Sequence, residues 1–255
     1  MSALLELRNV TKSFGGLTAV GDVTFDVAKG SVVGLIGPNG AGKTTTFNVI
    51  TGNHRADRGT ITFEGRSIGG LRTHKIVTLG IARTFQNIRL FQQLSAVENV
   101  LAGRHCRTRA GLLAAMVRTP GQAREEAEAV ARAMAELAFV GLEGRALELA
   151  KNLAYGDQRR LEIARALATE PKLLVLDEPA GGMNEHETDE LVGLIRRIQE
   201  RGITILLIEH DMSLVMRACE HIVVLEYGEK IAEGTPDAIR ADPRVIEAYL
   251  GTEEA

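Results

Sequence analysis

The sequence predicts an α/β fold with an antiparallel β layer ahead of its core and an α-helical subdomain inserted into it, and three observations carry that reading. Four short apolar runs, Ser31 to Ile36, Leu173 to Leu176, Ile203 to Ile208 and Ile222 to Leu225, have the length and composition of buried strands. From about Ser95 to Leu167 the composition turns to Ala, Glu, Arg and Leu, which favours helices. Directly after the first apolar run stands Gly37-Pro38-Asn39-Gly40-Ala41-Gly42-Lys43-Thr44-Thr45, followed by the helix-forming stretch Thr46 to Ile50. This is the G-x-x-x-x-G-K-[ST] pattern in the strand-then-helix setting it requires, so the core is a P-loop NTPase core.

The glycines of this stretch let successive backbone N–H groups point into one concavity, and the helix behind them turns its positive end to the same spot. Lys43 adds a mobile positive charge for the β and γ phosphates, and the Thr44 hydroxyl is placed to reach Mg2+. A nucleoside triphosphate is the expected ligand.

Composition narrows the class further. With 255 residues, 45% hydrophobic and 25% charged, the chain suits one large domain or a domain with an insertion, expected here as 1–94 and 168–255 for the core and 95–167 for the helical subdomain. The apolar runs are far shorter than the roughly 18 residues of a membrane span. Met1-Ser2-Ala3-Leu4-Leu5-Glu6 has no basic start before a long apolar stretch, so no signal peptide is expected. Cys106 and Cys219 stand far apart without paired spacing, which suits a reducing compartment and argues against a zinc site or a disulfide. A net charge of -3, no Trp and three Tyr give little for nucleic acid to bind.

In chain order, Leu4 to Val10 and Asp22 to Val27 alternate apolar with polar residues around a Gly15-Gly16 turn and predict strands with one buried face. Phe14, just before those glycines, either packs in the core or lays its ring against an adenine. After the phosphate loop, Asp57-Arg58-Gly59 predicts a turn, Thr60 to Phe63 a strand and Thr73 to Leu79 a helix. Ile81 to Phe85 predicts a strand ending in Gln86. Ala127, Val130, Ala131, Met134, Leu137 and Ala138 fall on one helical face, away from Glu125, Glu128, Arg132 and Glu136. Arg104, Arg107 and Arg109 beside Leu112, Leu113, Met116 and Val117 form either a solvated rim or a surface for lipid headgroups or a membrane partner.

Further on, Asn152-Leu153-Ala154-Tyr155-Gly156-Asp157-Gln158-Arg159-Arg160 leads into the helical run Leu161 to Leu167, whose opening backbone donors suit an anion. Lys172 to Pro179 reads as a buried strand ending in Asp177 and Glu178. In a phosphate-loop protein such a strand-end Asp holds Mg2+ opposite Thr44, and Glu178, pointing the other way on the pleat, is free to orient or deprotonate water. His210 follows the strand Ile203 to Ile208, with no partners at metal-ligand spacing; a place near the phosphates or a plain surface position are its two readings. A hairpin around Tyr227-Gly228-Glu229, a helix start at Gly234-Thr235-Pro236 and a last helix to Leu250 complete the chain.

The phosphate loop, Gln86, Leu153 to Arg160, Leu173 to Glu178 and His210 together, in this order, resemble the motifs of the ATP-binding cassette (ABC) ATPases, over essentially the whole chain. Arg83-Thr84-Phe85-Gln86, Asn152 to Arg165 and Ile208-Glu209-His210-Asp211-Met212 resemble the LivG-type subunit of bacterial branched-chain amino-acid importers. The resemblance implies the ABC ATPase fold and a role for each matching residue. Phe14 matches the ring that stacks on adenine; Gly37 to Thr45 match the ATP-binding loop; Thr44, Gln86 and Asp177 match the Mg2+ site, Asp177 directly or through water. Glu178 matches the catalytic base, His210 the γ-phosphate contact, and Gln86 the residue coupling the ion and attacking water to the membrane subunit. Leu153, Ala154, Tyr155, Gly156 and Asp157 match the signature that caps the nucleotide of a partner cassette in a head-to-tail pair.

Two positions depart from the general pattern. Ala154 stands where most cassettes have a serine that contacts the γ-phosphate; a hydrogen bond to a charged group contributes about 1.5–3 kcal/mol, against up to about 2 kcal/mol from the retained helix end. The LivG-like branch carries this variant itself. Asn184 stands where many cassettes have Asp, keeping an acceptor for contacts across the dimer but losing the charge. The implied function is an ATPase subunit on the cytoplasmic face of a bacterial cell membrane, partnered by permease subunits and a second ATP-binding subunit, identical or related, and indirectly by a solute-binding protein. Branched-chain amino acids are the implied solute, with other amino acids, urea or amides open. A soluble cassette acting on DNA or ribosomes, and a module that uses ATP only to dimerise, are the competing classes.

Overall fold

Alternating apolar and polar residues draw the start of the chain into two long strands, β1 (Ala3–Phe14) and β2 (Leu17–Ala28), which pair antiparallel across the Gly15-Gly16 turn. The computed structural model describes residues 2–104, 106 and 120–250. The elements continue with β3 (Val32–Ile36), α1 (Lys43–Ile50), β4 (Arg58–Phe63), β5 (Arg66–Ser67), α2 (Thr73–Leu79), β6 (Ile81–Arg83), α3 (Ala96–Arg104), α4 (Pro120–Phe139) and α5 (Tyr155–Leu167). Then come β7 (Leu173–Asp177), α6 (Glu185–Glu200), β8 (Thr204–Ile208), α7 (Met212–Ala218), β9 (His221–Glu226), β10 (Glu229–Gly234), α8 (Pro236–Ala241) and α9 (Pro243–Leu250). They form two compact units, Met1–Ile76 with Lys172–Ala255, and Val77–Pro171.

The first unit holds the expected antiparallel layer, in the order β2-β1-β4-β5. Leu5, Leu7, Val10, Val23, Phe25, Val27, Ile61 and Phe63 are buried from it, as alternation demands. A second sheet of the same unit runs β10-β9-β3-β8-β7. Pairings β3 with β8, β3 with β9 and β7 with β8 are parallel, and every residue of β3, β7 and β8 is buried. These strands are therefore apolar along their length and do not alternate, with Asp177 and Thr204 only at strand ends, as suits a parallel sheet covered on both faces. Parallel pairing also brings the carboxyl ends of β3, β7 and β8 to one edge, the usual place for a ligand in such folds.

Gly34 inside β3 has a local cause: a Cβ there would stand 3.0 Å from the sulfur of Cys219, which closes α7. Burial pushes that thiol up to about 12, so Cys219 is a packing residue and not a nucleophile.

In the second unit, α3, α4 and α5 pack together. Glycine at 103 allows α3 close to α5, since a Cβ would lie 2.3 Å from the Arg165 carbonyl oxygen. The buried face of α4 is Ala129, Ala133 and Leu137, whereas Ala127, Val130, Ala131 and Ala138 are exposed. The expected face is thus rotated: packing selected the stripe spaced four apart through Ala129, Ala133 and Leu137, and Val130 was left outside. Strand β6 stops at Arg83, short of the expected Phe85, because the Phe85 carbonyl accepts from Arg159 Nη1 at 2.6 Å and its ring lies against the guanidinium groups of Arg83 and Arg89. Arg104 pairs with Glu170 at 2.9 Å, and Glu170 also takes Arg132. The rest of that expected cluster, Arg107, Arg109, Leu112, Leu113, Met116 and Val117, lies outside the described residues.

Helices α6 and α7 were not expected from the sequence. A capping box starts α6: the Asn184 side chain accepts from Glu187 N, and the Glu187 side chain accepts from Asn184 N, both at 3.0 Å. Asn184 therefore spends its acceptor inside the chain. Replacing it with Ala should lower stability by about 1 kcal/mol, a shift of about 2–4 °C in melting temperature, with Asn184→Asp nearly unchanged. Arg159 and Glu162 are both fully buried, 3.0 Å apart. Arg159→Ala takes the nearest cation from the buried Glu162 carboxylate, leaving it Arg165 at 3.8 Å and the Arg89 N–H, and removes a donor from the Phe85 and Gln86 carbonyls; it should destabilise by about 3 kcal/mol, read as a lowered urea midpoint.

Candidate functional site

The loop between β3 and α1 is shaped by backbone contacts that exclude side chains. At Gly37 (φ 147) a Cβ would lie 2.0 Å from the Leu225 carbonyl oxygen, and at Gly42 (φ 96) 2.4 Å from that of Ala19. Gly228, in the turn between β9 and β10, donates its N–H to the Ala41 carbonyl at 3.1 Å and bears on Ala19 in turn. The loop is wedged between β2 and that turn. Gly42 starts α1 without a side-chain cap, so the first-turn N–H groups keep no acceptor of that kind.

Lys43 is nearly buried. Its ammonium donates to the carbonyls of Gly37 at 2.6 Å and Pro38 at 2.9 Å, which holds the charge over the loop. Burial lowers the ammonium below the ordinary lysine value, and the Glu178 carboxylate opposes that shift. The Thr44 side chain, next on the helix, is exposed.

At the end of β7, Asp177 is 3% exposed. The strand stops there, and Glu178 turns into the left-handed region at φ 45. Its direction is therefore set by a backbone twist and not by the alternation of the pleat, which corrects the sequence argument. The Glu178 N–H donates to the Ile208 carbonyl at 3.0 Å, and its Oε2 lies 3.7 Å from His210 Nδ1. His210, just beyond β8, is thus beside the carboxylate that follows β7. In one unit the fold assembles the loop, Lys43, Asp177, Glu178 and His210.

Phe14 is 44% exposed, which removes the core alternative. Its ring meets His54 edge-on with centroids 5.1 Å apart, and Lys12 Nζ stands 5.2 Å from its centroid.

The second unit carries Gln86 and the Leu153 to Asp157 segment. Gln86 exposes its side chain while its carbonyl accepts from Arg159 Nη2 at 2.9 Å. Leu153 is buried, Ala154 opens α5 with no side-chain cap, and Tyr155 is exposed. Gly156 is buried in the first turn. The Asp157 carboxylate is engaged within the unit, by Arg145 at 2.8 Å and Arg160 at 3.0 Å.

Sequence reasoning passed over two residues here. Arg159 ties the backbone of Phe85 and Gln86 to α5, and Glu209 binds backbone on both sides of the Glu178–His210 pair. A signal existed for Glu209: an acid directly after four apolar residues, Ile205 to Ile208, cannot be solvated by the strand and must find donors.

Comparison with known proteins fits this geometry. The family model described as ABC transporter matches residues 20–181, and the model described as branched-chain amino acid ATP-binding cassette transporter matches 229–255. The chain is 49% identical, over 97% of its length and 98% of the relative's, to the high-affinity branched-chain amino acid transport ATP-binding protein BraF of Pseudomonas aeruginosa. The crystal structure of the ADP conformation of MJ1267, an ATP-binding cassette of an ABC transporter, is 32% identical with a TM-score of 0.86, covering 98% of this chain and all of that one. A dimeric structure of the bacterial ABC transporter cassette MJ0796 gives 26% identity and a TM-score of 0.77, covering 91% of this chain and 98% of that one. With its phosphate loop, strand-end acids and near-complete match to such cassettes, the chain belongs to the ABC transporter family, as one of its ATP-binding cassettes.

Proposed function

We propose that this chain is the ATP-hydrolysing subunit of a bacterial importer for branched-chain amino acids, lying against the cytoplasmic face of the cell membrane. For the chemistry, the supporting observation is the grouping of a caged Lys43 with Glu178 and His210 at the carboxyl ends of β3, β7 and β8. For the solute, it is the match of 229–255 to the branched-chain model together with the identity to BraF. No helix among the described residues is long and apolar enough to cross a membrane. The pathway for solute then belongs to permease subunits, fed by a solute-binding protein.

In this reading the loop N–H groups and Lys43 grip the β and γ phosphates, and Phe14 offers its open face to the adenine. The oxygens of Thr44 and Asp177 and the Gln86 amide are hard donors suited to Mg2+, and Asp177 is buried enough to stay fixed. The ion, when bound, neutralises charge on the β and γ oxygens. Glu178 directs water at the γ-phosphorus and receives its proton, while His210, held beside Glu178, contacts the γ-phosphate. The Ala154–Gly156 start of α5 on a second cassette, identical or related, caps the same nucleotide head to tail, so that ATP closes the pair and hydrolysis opens it.

Glu178→Gln should bind ATP as the parent does and turn over at least about 100-fold more slowly, the contribution of a general base. Turnover within a few-fold of the parent overturns the assignment. The solute is checked separately: the solute-binding protein that co-purifies with the assembly should bind leucine, isoleucine or valine by calorimetry, and binding confined to an unrelated solute overturns that part alone.

A further inference from the structure

We propose that Glu209 is a positioning residue for hydrolysis, its carboxylate bolting the turn that follows Glu178 to the backbone that carries His210. The inference rests on the roles given above to Glu178 and His210 and extends them.

Glu209 directly follows β8 and is fully buried. One carboxylate oxygen, Oε1, accepts from the Ala180 N–H at 2.8 Å. The other, Oε2, accepts from the His210 N–H at 3.1 Å and, at a longer 3.5 Å, from the Asp211 N–H. A single side chain therefore satisfies donors in two separate segments, one after β7 and one after β8. Burial pushes this carboxyl above the usual range, opposed by those same N–H groups and by the neighbouring His210 ring. A buried carboxylate is a poor choice for packing alone, since an apolar side chain would fill the space without desolvating a charge.

What it gains is geometric. Glu178 sits at φ 45, a conformation a non-glycine residue holds only when its surroundings impose it. Two ties reach that turn from the end of β8: Glu178 N–H to the Ile208 carbonyl at 3.0 Å, and Ala180 N–H to Glu209. His210 Nδ1 lies 3.7 Å from Glu178 Oε2 and 3.7 Å from Glu209 Oε2, so the ring stands between the two carboxylates. The residue assigned to water and the residue assigned to the γ-phosphate thus share one rigid reference.

Glutamine is the sharp test, because it keeps the shape but offers one acceptor and an NH2 donor. Whichever way it turns, a donor faces either Ala180 N–H or His210 N–H. In the full chain, Glu209→Gln should lower kcat about 10- to 100-fold while ATP affinity stays within about threefold, the pattern of lost alignment and not of lost binding. Amide hydrogen exchange should quicken in both 178–183 and 209–213. Glu209→Asp, which keeps two acceptors on a shorter stem, should recover part of kcat. A folded Glu209→Gln protein with kcat within twofold of the parent overturns the proposal, as does loss of ATP affinity in step with kcat. Should the Gln variant not fold, Glu209→Asp bears the test on the same two criteria. Parallel measurement of Glu178→Gln separates the failures: if that variant hydrolyses normally, the reading of Glu178 is wrong; if it is inactive while Glu209→Gln is normal, only the present inference falls.

Discussion

The site depends on backbone meeting backbone at two glycines. The Gly37 and Gly42 Cα atoms are so close to the carbonyls of Leu225 and Ala19 that no side chain fits at either position. This fixes the loop from both flanks, the sheet strand β9 on one side and the antiparallel layer strand β2 on the other. The antiparallel sheet is thus not an appendage to the core: its second strand forms one wall of the phosphate loop. The Gly228 turn completes the wedge through its bond to Ala41. Donors held in this way need no reorganisation when a phosphate arrives, which is the condition under which electrostatic stabilisation is most effective.

Charge is handled at the strand ends by the same economy of parts. Lys43 is shielded from water by the carbonyls of its own loop, and Glu209 by N–H groups of two others. Each buried ion is satisfied mainly by main chain, so each fixes backbone as well as charge. Arg159 and Glu162 repeat the device in the second unit. There the guanidinium takes the carbonyls of Phe85 and Gln86, and the Glu162 carboxylate takes the Arg89 N–H at 3.2 Å. The stretch around Gln86 is therefore tied to the helix that begins at Tyr155, while the Gln86 side chain stays exposed.

Much of this was legible in the residues. The phosphate loop announces itself because its glycines, Lys43 and Thr44 form one contiguous pattern, and β3, β7 and β8 because full burial leaves an unbroken apolar run. Alternation gave the antiparallel layer for the opposite reason, since one face of its strands is buried and the other is not. Less legible were features that depend on residues distant in sequence. The Ala129, Ala133 and Leu137 face of α4 is decided by how near α3 and α5 approach, which residue size on one helix does not reveal. Helices α6 and α7 were hidden by short, polar starts, although Asn184 with Glu187 is a capping-box pattern open to inspection. Phe14 could not be assigned until its exposure was known, and the aim of Glu178 could not be read from the pleat because its φ leaves the strand.

The helix starts give an independent argument about where phosphate belongs. Helix α3 begins on the Ser95 and Glu98 side chains, α6 on Asn184, α7 on Asp211, α8 on Thr235 and α9 on Asp242, each supplying an oxygen to a first-turn N–H. Helices α1 and α5 begin on Gly42 and Ala154, with no such oxygen. A side-chain cap would compete with an anion for the same donors, so a helix meant to receive phosphate is better left uncapped. Seen this way, the alanine at 154 is consistent with the role of the segment: it forgoes one hydroxyl contact but puts nothing between the donors of α5 and a nucleotide. Of the seven helix starts just named, the two without a side-chain cap are those that the proposed pairing places on either side of one ATP, the first from one cassette and the second from its partner.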